Sequence, residues 1–285
     1  MEAYIASDLH WDDWAPACGT AENYINGWKT LSKPDTSMPG LLRKSDVIII
    51  AGDIANTYGK WCEMATALSR NYKEVVIVPG NHDLTVAWGD EYIFKITEEK
   101  LDAYKRFVKY YPNVHFLDGE IVKIGNTTIG GCMGMWDTTF VKRGILKQFF
   151  NGETDITQWT GEEWKKWFDC KHWKYLNNDL DRISDVEFGK LNKCLEQKPD
   201  IMVTHFCPYP GEGHIPHEYR RSFASTFFYF NPDYAKQVKC WIAGHTHTPY
   251  NHNRENSNVI VNPIGYSGER LNMESAKADE WTIEI

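Results

Sequence analysis

Val75-Val76-Ile77-Val78-Pro79-Gly80-Asn81-His82-Asp83 is the stretch that decides how this 285-residue chain folds. Four consecutive β-branched residues read as a strand buried on both faces. Proline and glycine stop it, and an amide, an imidazole and a carboxylate follow at its exit. The glycine permits a sharp turn and close backbone approach. The same order recurs along the chain. Residues 3–7 are followed by Asp8-Leu9-His10, and Val47–Ala51 by Gly52-Asp53. Residues 201–204 lead into His205, with Pro208 soon after, and Cys240–Ala243 into Gly244-His245-Thr246-His247.

Further strands are expected at 259–261 and, more weakly, at 127–130 and 281–285. Helical spacing lies between several of them. Trp61, Met64, Ala65 and Leu68 predict a helix over 60–72, and Leu101, Tyr104, Phe107, Val108 and Tyr111 one over 98–110, with Thr97 as its cap. Thr160-x-x-Glu163 and Ser184-x-x-Glu187 have the form of capping boxes and predict helices over 161–176 and 185–197. Strand–helix alternation of this kind means an α/β chain with crossover connections. Two aromatic-rich segments, 11–40 and 132–183, break the alternation without any linker-like composition. They are expected to be insertions on a single domain spanning 1–285.

Composition argues against several classes. The net charge of −8 lacks the basic footprint of a general nucleic-acid binder. Seven cysteines without a CxxC pair argue against a zinc ribbon or a disulfide scaffold. No leader-like segment precedes the first strand and no apolar run approaches a membrane span, so the expectation is a cytoplasmic protein with no membrane partner. Neither a GxxxxGK[ST] loop nor a GxGxxG turn occurs.

What the strand exits share is chemistry. Ligands in open α/β sheets gather at the carboxyl ends of strands, so these groups can converge on one rim although they span some 240 positions. Imidazole, carboxylate and one amide oxygen, without thiolate, suit a hard-to-borderline divalent ion. Asp8-x-His10 and His245-x-His247 are expected to put two ligands on one side of an extended segment, because side chains alternate along a strand. Asp8, His10, Asp53, Asn81, His205, His245 and His247 are too many for one four- to six-coordinate ion and suit two ions sharing a carboxylate. Any one of these motifs alone is more often a turn or a packed histidine. His115, His172 and His252, which stand outside them, are read in that way.

Asp-x-His, Gly-Asp, Gly-Asn-His-Asp, His and Gly-His-x-His, in this order, resemble the calcineurin-like metallophosphoesterase superfamily. The motifs run from residue 8 to 247 and leave the two aromatic segments uncovered. The resemblance implies a two-sheet β-sandwich flanked by helices with a binuclear metal centre at one edge. It implies that Asp8, His10 and His247 hold one ion, that Asn81, His205 and His245 hold the other, and that Asp53 bridges them. His82 is then the non-ligand histidine beside the phosphate, with Asn56 and Asp83 as the other catalytic groups. Two divalent ions, of Mn, Fe, Zn, Co or Ni, clamp a phosphoryl group and supply a nucleophile at neutral pH. Asn262-Pro263-Ile264-Gly265-Tyr266 resembles the segment by which such chains return past the site.

One departure bears on the substrate. Members acting on phosphoproteins follow Gly-Asp with an Asp three residues on and then an Arg. Here Asp53 is followed by Ile54-Ala55-Asn56-Thr57. The pattern resembles the small phosphodiesterases of the superfamily, which implies a small nucleotide-like phosphoester as partner. A DNA or RNA nuclease is the alternative, kept by Lys142, Arg143, Lys147, Lys165 and Lys166. A non-catalytic scaffold would have lost ligands. Trp11 and Trp14, tethered beside Asp8-x-His10, are expected at the substrate together with His214, His217, Arg220 and Arg221 of the loop after His205. For the helix at 161–176 the expectation is a satellite core.

Overall fold

The computed structural model describes residues 1–30, 33–136, 161–208, 230–254, 257–270 and 281–285. The described strands are β1 (Glu2–Ala6), β2 (Gly27–Thr30), β3 (Lys33–Pro39), β4 (Val47–Ala51), β5 (Glu74–Val78), β6 (Val114–Phe116) and β7 (Glu120–Ile124). They continue with β8 (Thr127–Gly131), β9 (Ile201–Val203), β10 (Cys240–Ala243), β11 (Tyr250–Arg254), β12 (Ser257–Val261) and β13 (Thr282–Glu284). The described helices are α1 (Trp11–Cys18), α2 (Ala21–Asn26), α3 (Tyr58–Asn71) and α4 (Thr97–Val108), then α5 (Gly161–Lys166), α6 (Phe168–His172), α7 (Leu180–Glu196) and α8 (Ser267–Arg270).

Two mixed sheets form the body. One runs β13-β1-β4-β5-β6 and the other β11-β12-β10-β9-β8-β7. In the first, β1, β4, β5 and β6 are parallel, with β13 added antiparallel to β1. In the second, β8, β9, β10 and β12 are parallel, closed by antiparallel β7 and β11. The reason lies in the sequence. Val47–Ala51 is buried at all five positions, as a strand covered on both faces must be. Gly131 in the second sheet lies against Val78 of the first and against Leu117 just past its last strand, so closely that an added Cβ would sit 2.6 Å from a Val78 methyl. The sheets therefore face each other, with α3 and α4 packed on the first and α7 on the second.

The helix expectations hold where an apolar stripe is unbroken. Trp61, Met64, Ala65 and Leu68 are buried along α3, and Leu101 and Tyr104 along α4. Three expectations are corrected. Thr97 does not cap α4, because its hydroxyl donates to the Leu84 carbonyl. Helix α7 begins at Leu180, because the Asp179 side chain accepts from Arg182 N and caps it. Ser184 is then interior, and Glu187 reaches Tyr175 and Lys190 instead of a helix end. The segment 161–176 is two short helices, because Trp167 is extended between them (φ −74°, ψ 154°); Thr160 lies outside the described residues.

Of the aromatic segments, 11–40 forms α1, α2 and the β2–β3 hairpin, with α1 and α2 lying on α3. In the second, Trp136, Trp164 and Trp173 are buried in series, with ring centres 5.7 and 5.8 Å apart. Trp159, Lys142, Arg143 and Lys147 lie outside the described residues.

Candidate metal centre

Every expected ligand is found just past a carboxyl end, where the two sheets share an edge. Asp8 and His10 follow β1, Asp53 follows β4, Asn81 and His82 follow β5, His205 follows β9, and His245 and His247 follow β10. The backbone binds these exits to one another. Asp8 N donates to Gly52 O, and Gly244 N donates to His205 O. Asp8, His10, Asp53, His245 and His247 all have left-handed backbones, with φ between 42° and 69°. The expectation of an extended segment is thus corrected. Paired ligands share a side because both members sit at left-handed kinks, not because a strand alternates. Such conformations cost on the order of 1–3 kcal/mol each and persist only where the surroundings over-determine them.

Two glycines make the approach possible. A Cβ on Gly52, which has φ +83°, would lie 2.5 Å from His205 Nδ1. One on Gly80 would overlap the Asp53 carboxylate.

The ligand atoms fall into two groups. His10 Nε2 lies 3.0 Å from His247 Nε2, which is 3.4 Å from Asp8 Oδ1. Opposite, Asn81 Oδ1 lies 2.7 Å from His205 Nε2 and 3.0 Å from His245 Nδ1. Asp53 Oδ2 belongs to both, 3.9 Å from His10 Nε2 and 3.3 Å from His205 Nε2. The donor set fits divalent ions. His205 Nδ1 can only donate to the Ala51 carbonyl at 2.8 Å, which turns Nε2 towards two acceptor oxygens, where it carries a proton or, once that proton is displaced, offers a lone pair to an ion. His247 Nδ1 likewise faces Glu269 Oε2 at 2.7 Å, leaving Nε2 to face Asp8. Fixing the tautomer through the far nitrogen is how metal-binding imidazoles are commonly held.

Electrostatics point the same way. Asp8 and Asp53 are two carboxylates at 0% and 1% exposure, an expensive pairing unless cations accompany it. Burial works against ionising Asp8, but His247 outweighs it and holds the carboxyl at about 2. Burial likewise opposes a charge on His205 and on His247. Asp53 nevertheless lifts His205 to about 9, and Asp8 lifts His247 to about 10. Burial and His205 press His245 down to about 3, while burial and His82 hold His10 well below the usual range.

His82 stands beside this cluster, half-buried. Its Nδ1 is 2.7 Å from Asn56 Oδ1. Asn56 has no freedom to flip, because its Nδ2 donates to Asp12 Oδ2 at 2.6 Å and its backbone N to Asp12 Oδ1 at 2.7 Å. The Asn56 carbonyl is held by Lys100 Nζ at 2.7 Å, a buried lysine paired with Asp90. His82 Nδ1–H therefore donates to Asn56, and Nε2 is directed to the Tyr266 hydroxyl at 3.3 Å. Burial lowers the His82 pKa, against the opposing pull of Asp53. Tyr266 arrives on the returning segment, where Ile264 N donates to Ser7 O and Gly265 N to Asp8 O, and its ring stacks on His10 at 4.1 Å.

The other expected residues divide. Asp83 commits both oxygens to the backbone, accepting from Asp53, Ile54, Ala55 and Gly80 N–H groups, and so holds the turn that carries Asp53. Trp11 and Trp14 do not join the site. They are 0% and 4% exposed, both pack edge-on to Tyr24, and the Trp14 indole donates to Gly265 O. His214, His217, Arg220 and Arg221 lie outside the described residues. His115 pairs with Glu74 at 2.8 Å, and His172 stacks on Trp88. Sequence reasoning did not find Asp12, Glu269, Asp169 or Trp173. Asp12 and Glu269 sit on short helices next to motif residues, and nothing in their own spacing marks them.

Two layered sheets with an Asp/His/Asn cluster at their common edge define a metal-dependent phosphoesterase architecture. The family model for calcineurin-like phosphoesterases matches residues 1–249, and the chain belongs to that family of phosphoester hydrolases, which typically carry a dinuclear metal centre. Among solved structures, a phosphopantetheinyl hydrolase from Mycobacterium tuberculosis is similar, at 16% identity and TM-score 0.62, over 99% of this chain and 95% of that one. A candidate 5′-nucleotidase from Staphylococcus aureus aligns at 12% identity and TM-score 0.45, over 93% of this chain and 49% of that one. No curated protein sequence matches the chain at a significant level. Among the described residues no helix is long and apolar enough to cross a membrane.

Proposed function

We propose that the chain is a binuclear phosphodiesterase acting on a small nucleotide-like substrate. The observation that carries this is the pair of ligand groups meeting at Asp53 Oδ2, 3.9 Å from His10 Nε2 and 3.3 Å from His205 Nε2. Asp8, His10 and His247 would hold one ion and Asn81, His205 and His245 the other, with Asp53 within reach of both groups. When bound, the ions supply charge to clamp the phosphoryl group and an activated water to attack it. The chain's own groups supply the rest. Asn56 fixes the His82 ring with the proton on Nδ1, so that Nε2 addresses the substrate. Burial lowers the pKa of that ring, and a phosphate anion beside it favours uptake of a proton from solvent at Nε2, which is then given to the leaving oxygen. Seven free thiols suit a reducing compartment such as the cytosol.

The preference for a diester follows from charge. Thr57 stands where phosphoprotein phosphatases of the family carry an arginine. Behind the ligands stand two further carboxylates, Glu269 on His247 and Asp169 on Asn81. Burial lifts the Asp169 carboxyl to about 7, so the charge that counts is that of Asp8, Asp53 and Glu269, which offsets most of two divalent ions and weakens the advantage of a dianionic monoester. The chain reconstituted with manganese is expected to show a higher kcat/KM for an aryl diester than for the matching aryl monoester at one pH. A monoester advantage of tenfold or more would overturn the preference. The same panel should hold cyclic nucleotides, short single strands and a phosphopantetheinyl ester, the group named for the fold relative.

A further inference from the structure

Asn81 is the only ligand of the seven whose binding atom depends on an amide flip. Turned one way it offers a carbonyl oxygen to an ion; turned the other, an NH2 group that repels it. What decides is Asp169, at 0% exposure on α6, in the aromatic segment that the family motifs do not cover. Asp169 Oδ1 lies 2.8 Å from Asn81 Nδ2. Asn81 Nδ2 donates across this contact, so the NH2 faces α6 and Oδ1 is left facing His205 and His245. The indole of Trp173, just past the same helix, donates to the Asn81 backbone carbonyl at 2.7 Å and fixes the main chain beneath. Asp169 Oδ2 is buried with no hydrogen-bond partner among the described residues.

We propose that Asp169 is a positioning residue for the metal centre, holding the Asn81 amide so that its oxygen faces the ion shared with His205 and His245. The inference rests on the two-ion reading above. It makes the 161–175 segment part of the metal site and not only a packing layer.

Calorimetric titration of metal-stripped protein with manganese tests it, with thermal unfolding of each stripped variant as the check on folding. The wild type is expected to bind two ions. In Asp169→Ala one binding step weakens by ~10–100-fold, the usual range for losing a partner behind a ligand, while the other is retained. The weakened step is the one lost in Asn81→Ala. Asp169→Asn, whose amide oxygen can still accept from Asn81, restores it. Equal weakening of both steps, or of neither, overturns the role of Asp169. An Asp169→Asn variant as weak as Asp169→Ala overturns amide orientation as its basis. A wild type that binds fewer than two ions overturns the two-ion reading itself, a result distinct from these.

Discussion

Replacing Asp53 by alanine is expected to release both metal ions and to lower turnover by about 10³-fold or more. The size follows from several kcal/mol of charge stabilisation supplied by bound metal, at roughly 1.4 kcal/mol per decade of rate. Asp53 is singled out by geometry. Its Oδ2 lies 3.9 Å from His10 Nε2 and 3.3 Å from His205 Nε2, a histidine of each group. Its Oδ1 accepts from His82 N at 2.8 Å, so the same side chain also ties the β5 exit to the β4 exit. Loss of any other ligand leaves one group of donors whole, whereas loss of Asp53 opens both. Elemental analysis of the purified variant is the check. Full metal content in Asp53→Ala would remove the bridging assignment, and one retained ion would make Asp53 a ligand to a single site.

The second large effect belongs to His82. His82→Ala is expected to keep both ions and to lose ~10²–10⁴-fold in kcat, the range for a positioned acid or base. The loss should shrink with an ester whose leaving group departs without a proton, such as a nitrophenolate, because donation from Nε2 is then unnecessary. The two halves separate this role from ligation. His82 lies near His10 and Asp53, close enough that their nitrogens and oxygens lie within 4.8 Å of one another, so proximity alone does not exclude it as a ligand. Its Nδ1 contact to Asn56, itself locked by Asp12, argues that the ring is oriented for proton work. Metal loss in the variant, or an equal rate loss on both esters, would contradict that argument.

Much of this centre was legible in the sequence because each ligand directly follows a buried parallel strand, and strand exits in such sheets converge. Side-chain alternation, however, does not account for the pairing. Asp8 and His10 share a side through left-handed kinks that no side-chain periodicity announces. Trp11 and Trp14 were misjudged because tethering beside a ligand fixes where a chain begins, not where its side chain points. An eight-residue helix turns both indoles into the core. Asp169 was beyond reach for a related reason. It meets Asn81 across 88 residues of sequence, from a short helix within a segment that has no motif of its own. Contacts set by how an insertion folds back are tertiary facts, and local pattern carries little trace of them. The capping box read at Ser184 failed because Asp179, five residues earlier, offers a carboxylate to the helix start.

On the proposed function, this chain would hold two ions at once and need both. The most direct measurement is metal content against activity during stepwise manganese reconstitution of the stripped wild type. Two ions per chain at saturation, with diesterase turnover appearing only as the second is taken up, is the result expected. Full turnover with one ion per chain, or with none, would contradict it.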